Sequence, residues 1–183
     1  MEIRRAKEQD MDGINKLLLQ VCLVHHNGRP DLFKYGTKKY TDEELRAIIR
    51  DDKRPIFTAV GEDGTILGYA FCIFQQQIGN NILTDIKSLY IDDLCVDEAI
   101  RGRHIGRKLY DHVLAYAREN GCYNVTLNVW SCNEALVAKA AEEAHYESPY
   151  LQYNDENALS YTISLAFYVA HNYYTMIKEL PTG

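Results

Sequence analysis

One stretch constrains the fold of this chain more than any other. Leu94-Cys95-Val96 reads as the end of a strand, Asp97 to His104 as a basic, glycine-containing turn, and Ile105 onward as an amphipathic helix. The helix face is marked by Ile105, Leu109, Val113, Leu114 and Ala117, and Gly121 closes it. A strand feeding a helix through such a turn commits the chain to a β-α-β crossover, because the next strand-like run, Val125 to Trp130, lies one helix length further on. The crossover predicts that Val125–Trp130 lies parallel to the strand ending at Val96. The turn also predicts an anion site. Backbone N–H groups at a helix start have no partner within the helix and sit at the positive end of its dipole. Arg101, Arg103 and Arg107 add charge there.

The rest of the chain supplies the layers. Glu2–Ala6 reads as a strand, Asp10 as an N-cap, and Ile14, Leu17, Leu18, Val21 and Cys22 as one helix face. His25 to Tyr40 carries Gly28, Pro30, Gly36 and several aromatic residues, and is expected as a long loop packed by its own side chains. Thr41-Asp42-Glu43-Glu44 has the form of a capping box and opens a short helix ending near Arg50. Ile56–Val60 and Ile66–Gln75 flank the turn Gly61–Gly64 as an antiparallel hairpin, and a third strand is expected from Ile82 to Val96.

No apolar run approaches the roughly 20 residues that span a bilayer, and no signal-peptide pattern opens the chain, so a soluble, cytoplasmic protein is expected, with no membrane partner. Five cysteines without C-x-x-C spacing favour reduced thiols over a disulfide framework or a metal site. A net charge of -6 argues against nucleic acid as partner and slightly favours cationic substrates.

In the order β-α-α-β-β-β-α-β, in the Leu94-Cys95-Val96 strand end, in the Arg101–Gly106 turn and in Asn128-Val129-Trp130-Ser131-Cys132-Asn133, the chain resembles the GNAT superfamily of N-acetyltransferases. The likeness covers residues 1–133, taken as the acetyltransferase core, and leaves 134–183 as an atypical C-terminal segment. It implies an α/β fold whose mixed, mostly antiparallel sheet splays at a central parallel pair flanked by helices. The family's pyrophosphate motif is Q/R-x-x-G-x-G/A. This chain supplies Arg101, Ile105 and Gly106 but has His104 at the first glycine, a position histidine fills if it adopts a left-handed backbone.

The resemblance implies acetyl-CoA as co-substrate and no metal. It assigns cofactor contacts to Leu94, Cys95 and Val96 by strand pairing, to Arg101, Gly102, Arg103, His104, Ile105, Gly106 and Arg107 at the turn, and to Asn133. A primary amine, small, polyamine-like or on a protein, would attack the thioester directly in a ternary complex. A carboxylate would take its proton. Tyr90-Ile91-Asp92-Asp93-Leu94-Cys95-Val96 is similar to the acidic strand of polyamine-type members, where the first acid is the base; Asp92 is preferred and Asp93 stands second.

Strict alternation puts these two carboxylates on opposite faces of the strand, and a bulge would exchange the faces beyond it. The plainer reading is that both only solvate a strand edge. His25 and His26 are alternative bases or acceptor contacts, and Phe33, Tyr35 and Tyr40 either wall the acceptor pocket or simply pack the loop.

Beyond Asn133 the family's expected tyrosine general acid is missing, with Ala140 near its position. Tyr146 and Tyr168 are the substitutes at hand, or packing residues. The tail, through Tyr153–Leu159 and Tyr173–Gly183, resembles a truncated PD-(D/E)xK nuclease-like segment without its metal-binding signature. Either Tyr173–Leu180 adds a strand beside Val125–Trp130, or the tail is a loosely attached appendage that leaves an open edge and a homodimer available. The competing functional reading is an acyl-CoA-binding or interaction module with impaired catalysis.

Overall fold

The computed structural model describes residues 1–82, 84–128 and, for the backbone, 175–179. Its elements are β1 (Glu2–Arg5), a 3₁₀ turn at Glu8–Asp10, α1 (Met11–Gly28), α2 (Asp42–Ile49), β2 (Ile56–Val60), β3 (Ile66–Gln76), β4 (Lys87–Val96), a 3₁₀ turn at Glu98–Ile100, α3 (Ile105–Glu119), β5 (Asn124–Asn128) and β6 (Thr175–Glu179). They form one six-stranded sheet in the order β1-β2-β3-β4-β5-β6. Every neighbouring pair is antiparallel except β4 and β5, which run parallel across the α3 crossover. This is the expected mixed sheet. β6 lies antiparallel on β5, so the strand expected from Tyr173–Leu180 is there.

The sheet buries both faces because its strands alternate. Ile56, Val60, Tyr69, Phe71 and Cys95 pack with Ile14, Leu17 and Leu18 of α1 and Leu45 and Ile48 of α2. Phe57, Ala59, Ala70, Cys72, Leu89 and Ile91 pack on the other side with Ile105, Leu109, Val113, Leu114 and Ala117 of α3. All five residues marking the expected α3 face are therefore buried, as a 3.6-residue period requires. The Thr41 capping box also forms: Glu44 N–H donates to Thr41 Oγ1 at 3.2 Å and Thr41 N–H to Glu44 Oε2 at 2.8 Å.

Three expectations need correction. α1 does not stop before His25 but runs to Gly28, so His25 and His26 lie in its last turn. Asp10 stands at the N-cap of α1 as expected, but its side chain makes no cap bond to that helix; its buried carboxylate takes the Arg4 guanidinium fork at 2.7 and 2.9 Å and Lys7 N–H at 2.8 Å. β4 begins at Lys87, and Ile82, which would have opened it, is 89% exposed.

Of the two placements left open for the acidic pair, the structure has the bulged one. Phe71 pairs with Asp93 and Cys72 with Ile91, so Asp92 is one extra residue on β4, a β-bulge. Leu89 and Ile91 face α3, whereas Cys95 faces α1 and α2. Strict alternation thus fails at Asp92. Asn133, Trp130, Ala140, Tyr146, Tyr168 and, apart from the backbone of β6, the nuclease-like segment lie outside the described residues.

Candidate active site

Both carboxylates of the bulge reach aromatic residues of the α1–α2 side. Asp92 Oδ2 accepts from Tyr40 Oη at 2.9 Å and from Lys39 Nζ at 2.7 Å, and Asp93 Oδ2 accepts from Tyr69 Oη at 2.9 Å. Phe71 joins the two tyrosines: its ring stacks on Tyr40 at 5.5 Å and meets Tyr69 edge-on at 4.9 Å. The Asp92 side chain is 19% exposed. Asp93 is more deeply set, and burial pushes its carboxyl above the usual carboxylate range, against the opposing pull of Lys39 and the Tyr69 hydroxyl and with the charge of Asp92 adding to the rise. Burial, then the acid charges, drives the Tyr40 and Tyr69 hydroxyls well above the ordinary tyrosine value, so both remain donors. Tyr69, wholly buried, and Lys39 were not singled out from the sequence. Tyr69 stands directly across the ladder from Cys95, but in the strand pattern it is indistinguishable from core.

The bulge coincides with a change in strand pairing. β4 and β5 pair from Ser88–Asn124 to Ile91–Leu127, and among the described residues nothing pairs with β4 on that side from Asp92 to Val96. Leu94, Cys95 and Val96 thus form a strand edge hydrogen-bonded on one side to β3. Such an edge is suited to an extended ligand with amide groups. The Cys95 thiol is buried, donates to Leu17 O at 3.9 Å, and is pushed up to about 12 by burial first and Asp93 second, which leaves it inert as a nucleophile.

The end of the strand is tied down by Asp97. Its carboxylate accepts from Lys16 Nζ at 2.9 Å and Gln20 Nε2 at 3.4 Å on α1, and from Ala99 N–H at 3.1 Å. These bonds fix where the basic turn departs. Gly102 has φ +83° and His104 has φ 58°, ψ 20°, the left-handed conformation anticipated for histidine at that place. His104 makes no side-chain cap, no acid lies in the first turn of α3, and its first hydrogen bond runs from Lys108 N to His104 O at 3.1 Å. Ahead of that bond, the N–H groups of Ile105 and Gly106 have no carbonyl partner among the described residues.

A Cβ on Gly106 would sit 3.5 Å from Val96 Cγ2 and 3.8 Å from Leu94 Cδ2, so the helix start lies directly against the strand edge. Arg101, Gly102, Arg103 and His104 are all exposed. Arg107 instead reaches along the helix to Asp111, 2.9 Å from Nε to Oδ1. Bare N–H groups, left-handed backbone and arginines fit a pyrophosphate.

The aromatic residues expected around the acceptor make their own cluster. His26 Nδ1 donates to Phe33 O at 2.7 Å, the His26 and Tyr35 rings meet edge-on at 5.3 Å, and His25 lies 5.0 Å from Phe33. Tyr35 is 73% exposed. Burial and the charge of Lys39 lower His25, which keeps the ring neutral near pH 7. From the segment between α1 and α2 it is Lys39 and Tyr40 that reach the carboxylates. Tyr40 also lines a recess of about 160 Å³ with Glu44, Ala47, Ile48 and Arg54. No cluster of metal-ligating side chains occurs among the described residues. No helix among them is long and apolar enough to cross a membrane.

Residues 23–146 match the model of a family described as acetyltransferase (GNAT). Among curated proteins, a probable glucosamine 6-phosphate N-acetyltransferase of Drosophila melanogaster is 24% identical over 139 residues, which is 75% of this chain and 57% of that protein. The chain therefore spans little more than half the length of that relative. Among solved structures, a mutant of the BH1408 protein from Bacillus halodurans superposes with a TM-score of 0.74 at 25% identity, covering 85% of this chain and 99% of its own. Glucosamine-6-phosphate N-acetyltransferase from Arabidopsis thaliana superposes with a TM-score of 0.58 at 22% identity, covering 84% and 96%, a likeness of fold.

Proposed function

The chain belongs to the acetyltransferase (GNAT) family, and on that premise we propose that it transfers an acetyl group from acetyl-CoA to a primary amine by direct attack within a ternary complex. The observation that carries the proposal is the convergence of two features within one β-α unit. A pair of carboxylates stands where the β4–β5 ladder ends, and an uncapped, basic helix start lies against the same strand edge.

The residues divide the work as follows. The N–H groups of Ile105 and Gly106 and the charges of Arg101 and Arg103 bind the pyrophosphate. The main chain of Leu94, Cys95 and Val96 pairs with the pantetheine arm and orients it. Bound there, acetyl-CoA supplies the thioester carbonyl that the amine attacks. Asp92 Oδ2 attracts the acceptor's ammonium and takes its proton, which frees the lone pair for attack. Asp93 is a positioning residue: held by Tyr69, it braces the bulge that turns Asp92 toward Tyr40. The acceptor is a small molecule or a peptide amine, with amino-sugar phosphates added by the curated relative's name.

The test is thiol release from acetyl-CoA with a panel of glucosamine 6-phosphate, polyamines, amino-acid amines and lysine peptides. Amine-dependent release is expected, falling about 10²–10³-fold in Asp92→Asn. If no amine stimulates release while CoA still binds, the chain is a binding module. If Asp92→Asn turns over like the wild type, the base is misassigned.

A further inference from the structure

The proton acceptor of the proposed reaction already holds an amine from its own chain. Lys39 Nζ lies 2.7 Å from Asp92 Oδ2, at the place where the β4–β5 ladder ends. The Lys39 side chain is 39% exposed and its ammonium sits 5.5 Å from the centroid of the Tyr40 ring. Its neighbour Tyr40 fixes the segment, since the Tyr40 hydroxyl donates to the same oxygen at 2.9 Å and its ring stacks on Phe71. The ammonium therefore occupies the position that an acceptor's ammonium must reach before giving up its proton. A tethered group held there reacts as if at very high local concentration.

We infer that Lys39 is itself an acceptor, acetylated within its own chain by an acyl-CoA thioester. The inference rests on the acetyl-transfer reading given above. Lys39 Nζ gives one proton to Asp92 Oδ2, its lone pair forms a bond to the thioester carbonyl carbon, and the nitrogen releases its second proton to solvent as the tetrahedral adduct collapses. The C–S bond breaks, and the departing CoA thiolate takes up a proton from solvent. The product is an amide at Lys39 with no charge. It cannot pair with Asp92, so the modification removes the competitor that external amines face at the base.

The experiment incubates the whole chain with acetyl-CoA and no added amine, followed by intact-mass measurement and peptide mapping. One added acetyl group at Lys39 is expected, at least about tenfold faster than at any other lysine, at a first-order rate independent of protein concentration. Lys39→Arg, which keeps the charge, should abolish the added group. Asp92→Asn should slow it at least about tenfold. A heat-unfolded sample gives the background of uncatalysed acylation.

Amine-dependent thiol release without acetylation at Lys39 overturns this inference and leaves the transferase reading standing. No thiol release with any amine and no acetylation at Lys39 overturns both. Label spread over the lysines as in the unfolded sample also overturns the inference.

Discussion

Replacing Gly68 with alanine tests how tightly β3 and β4 are packed where they carry the site. Gly68 lies across the ladder from Val96. A Cβ there would meet Cys95 O at 2.8 Å, Leu109 Cδ1 at 3.1 Å and Val96 Cα at 3.4 Å. Two of these atoms belong to the β4 main chain, and the third to a wholly buried residue of α3. Real Cβ atoms essentially never approach within 3.0 Å of such neighbours, so β4 must retreat at Cys95 by about 0.2 Å or more. Gly68 is not among the glycines with positive φ. With room available, alanine would therefore stabilise by about 0.4–1 kcal/mol through the unfolded chain.

Close packing reverses that sign. Overpacking costs about 1–3 kcal/mol, and a contact with main chain on one side and a wholly buried side chain on the other takes at least the middle of that range, about 2 kcal/mol, which leaves the variant destabilised by about 1–2 kcal/mol. For a chain of this size that lowers Tm by about 2–8 °C. Thermal and urea unfolding followed by circular dichroism measure it, and CoA affinity should fall in parallel because Cys95 and Val96 lie on the proposed pantetheine edge. Gly64→Ala is the control. It has open space but φ +83°, so it should lose about 1 kcal/mol from backbone strain alone and leave CoA affinity unchanged. A Gly68→Ala protein as stable as the wild type, or more stable, would refute the packing argument.

Burial raises the folded-state carboxyl of Asp93, so its charge costs stability above that raised value, and the cost disappears as pH falls through it. Asp93→Asn, which still offers an oxygen to Tyr69, should therefore raise Tm at pH 7 and lose that advantage in acid; an unchanged or lower Tm at pH 7 contradicts the assignment. Burial alone would raise Asp10, but the Arg4 fork and Lys7 N–H together hold it below the ordinary aspartate value of 3.8. Its contribution is thus complete above that value and lost as pH falls through the lower folded one, and Asp10→Asn should lose about 2–3 kcal/mol at pH 7 by urea titration. Arg101→Gln and Arg103→Gln should each weaken CoA binding by about 2–5-fold in titration calorimetry, less at high salt, because both side chains are exposed. Unchanged affinity in both would leave the backbone N–H groups alone as the phosphate site.

Local and periodic signals made much of the fold legible. The α3 face, the Thr41 capping box, the β2–β3 hairpin and the parallel β4–β5 crossover each follow from spacing within a few residues or one crossover. The missed features depend on specific side-chain contacts and strand register rather than on residue spacing. α1 continues through His25 and His26, whose rings meet Tyr35 and Phe33. Asp10 looked like a cap because Arg4 and Lys7, which bind its carboxylate, lie before it on a separate strand and turn. Ile82 suggested an earlier β4 start, yet it is 89% exposed, beyond the end of the paired strands. For Asp92 the sequence left alternation and a bulge both open, since a bulge is defined against the partner strand.

The bulge explains why the candidate site forms where it does. Without Asp92, the ladder from Leu89 to Val96 alternates regularly: Leu89 and Ile91 face α3, Asp93 meets Tyr69 on the opposite side, Cys95 follows it there, and Val96 returns toward α3. Asp92 is the single residue that this alternation does not place, and it stands just past the last β4–β5 pair. An inserted residue cannot join the ladder, so its side chain is free to be aimed by Tyr40 and Lys39 rather than by strand geometry. The same logic holds at the other end of the unit, where the helix start at left-handed His104 has N–H groups without partners among the described residues. Regular structure pairs its polar groups with one another. The carboxylate, the strand edge and the N–H groups available to a ligand are those that three local irregularities withhold from that pairing, and the apolar layers on both faces of the sheet hold them within one strand-turn-helix unit.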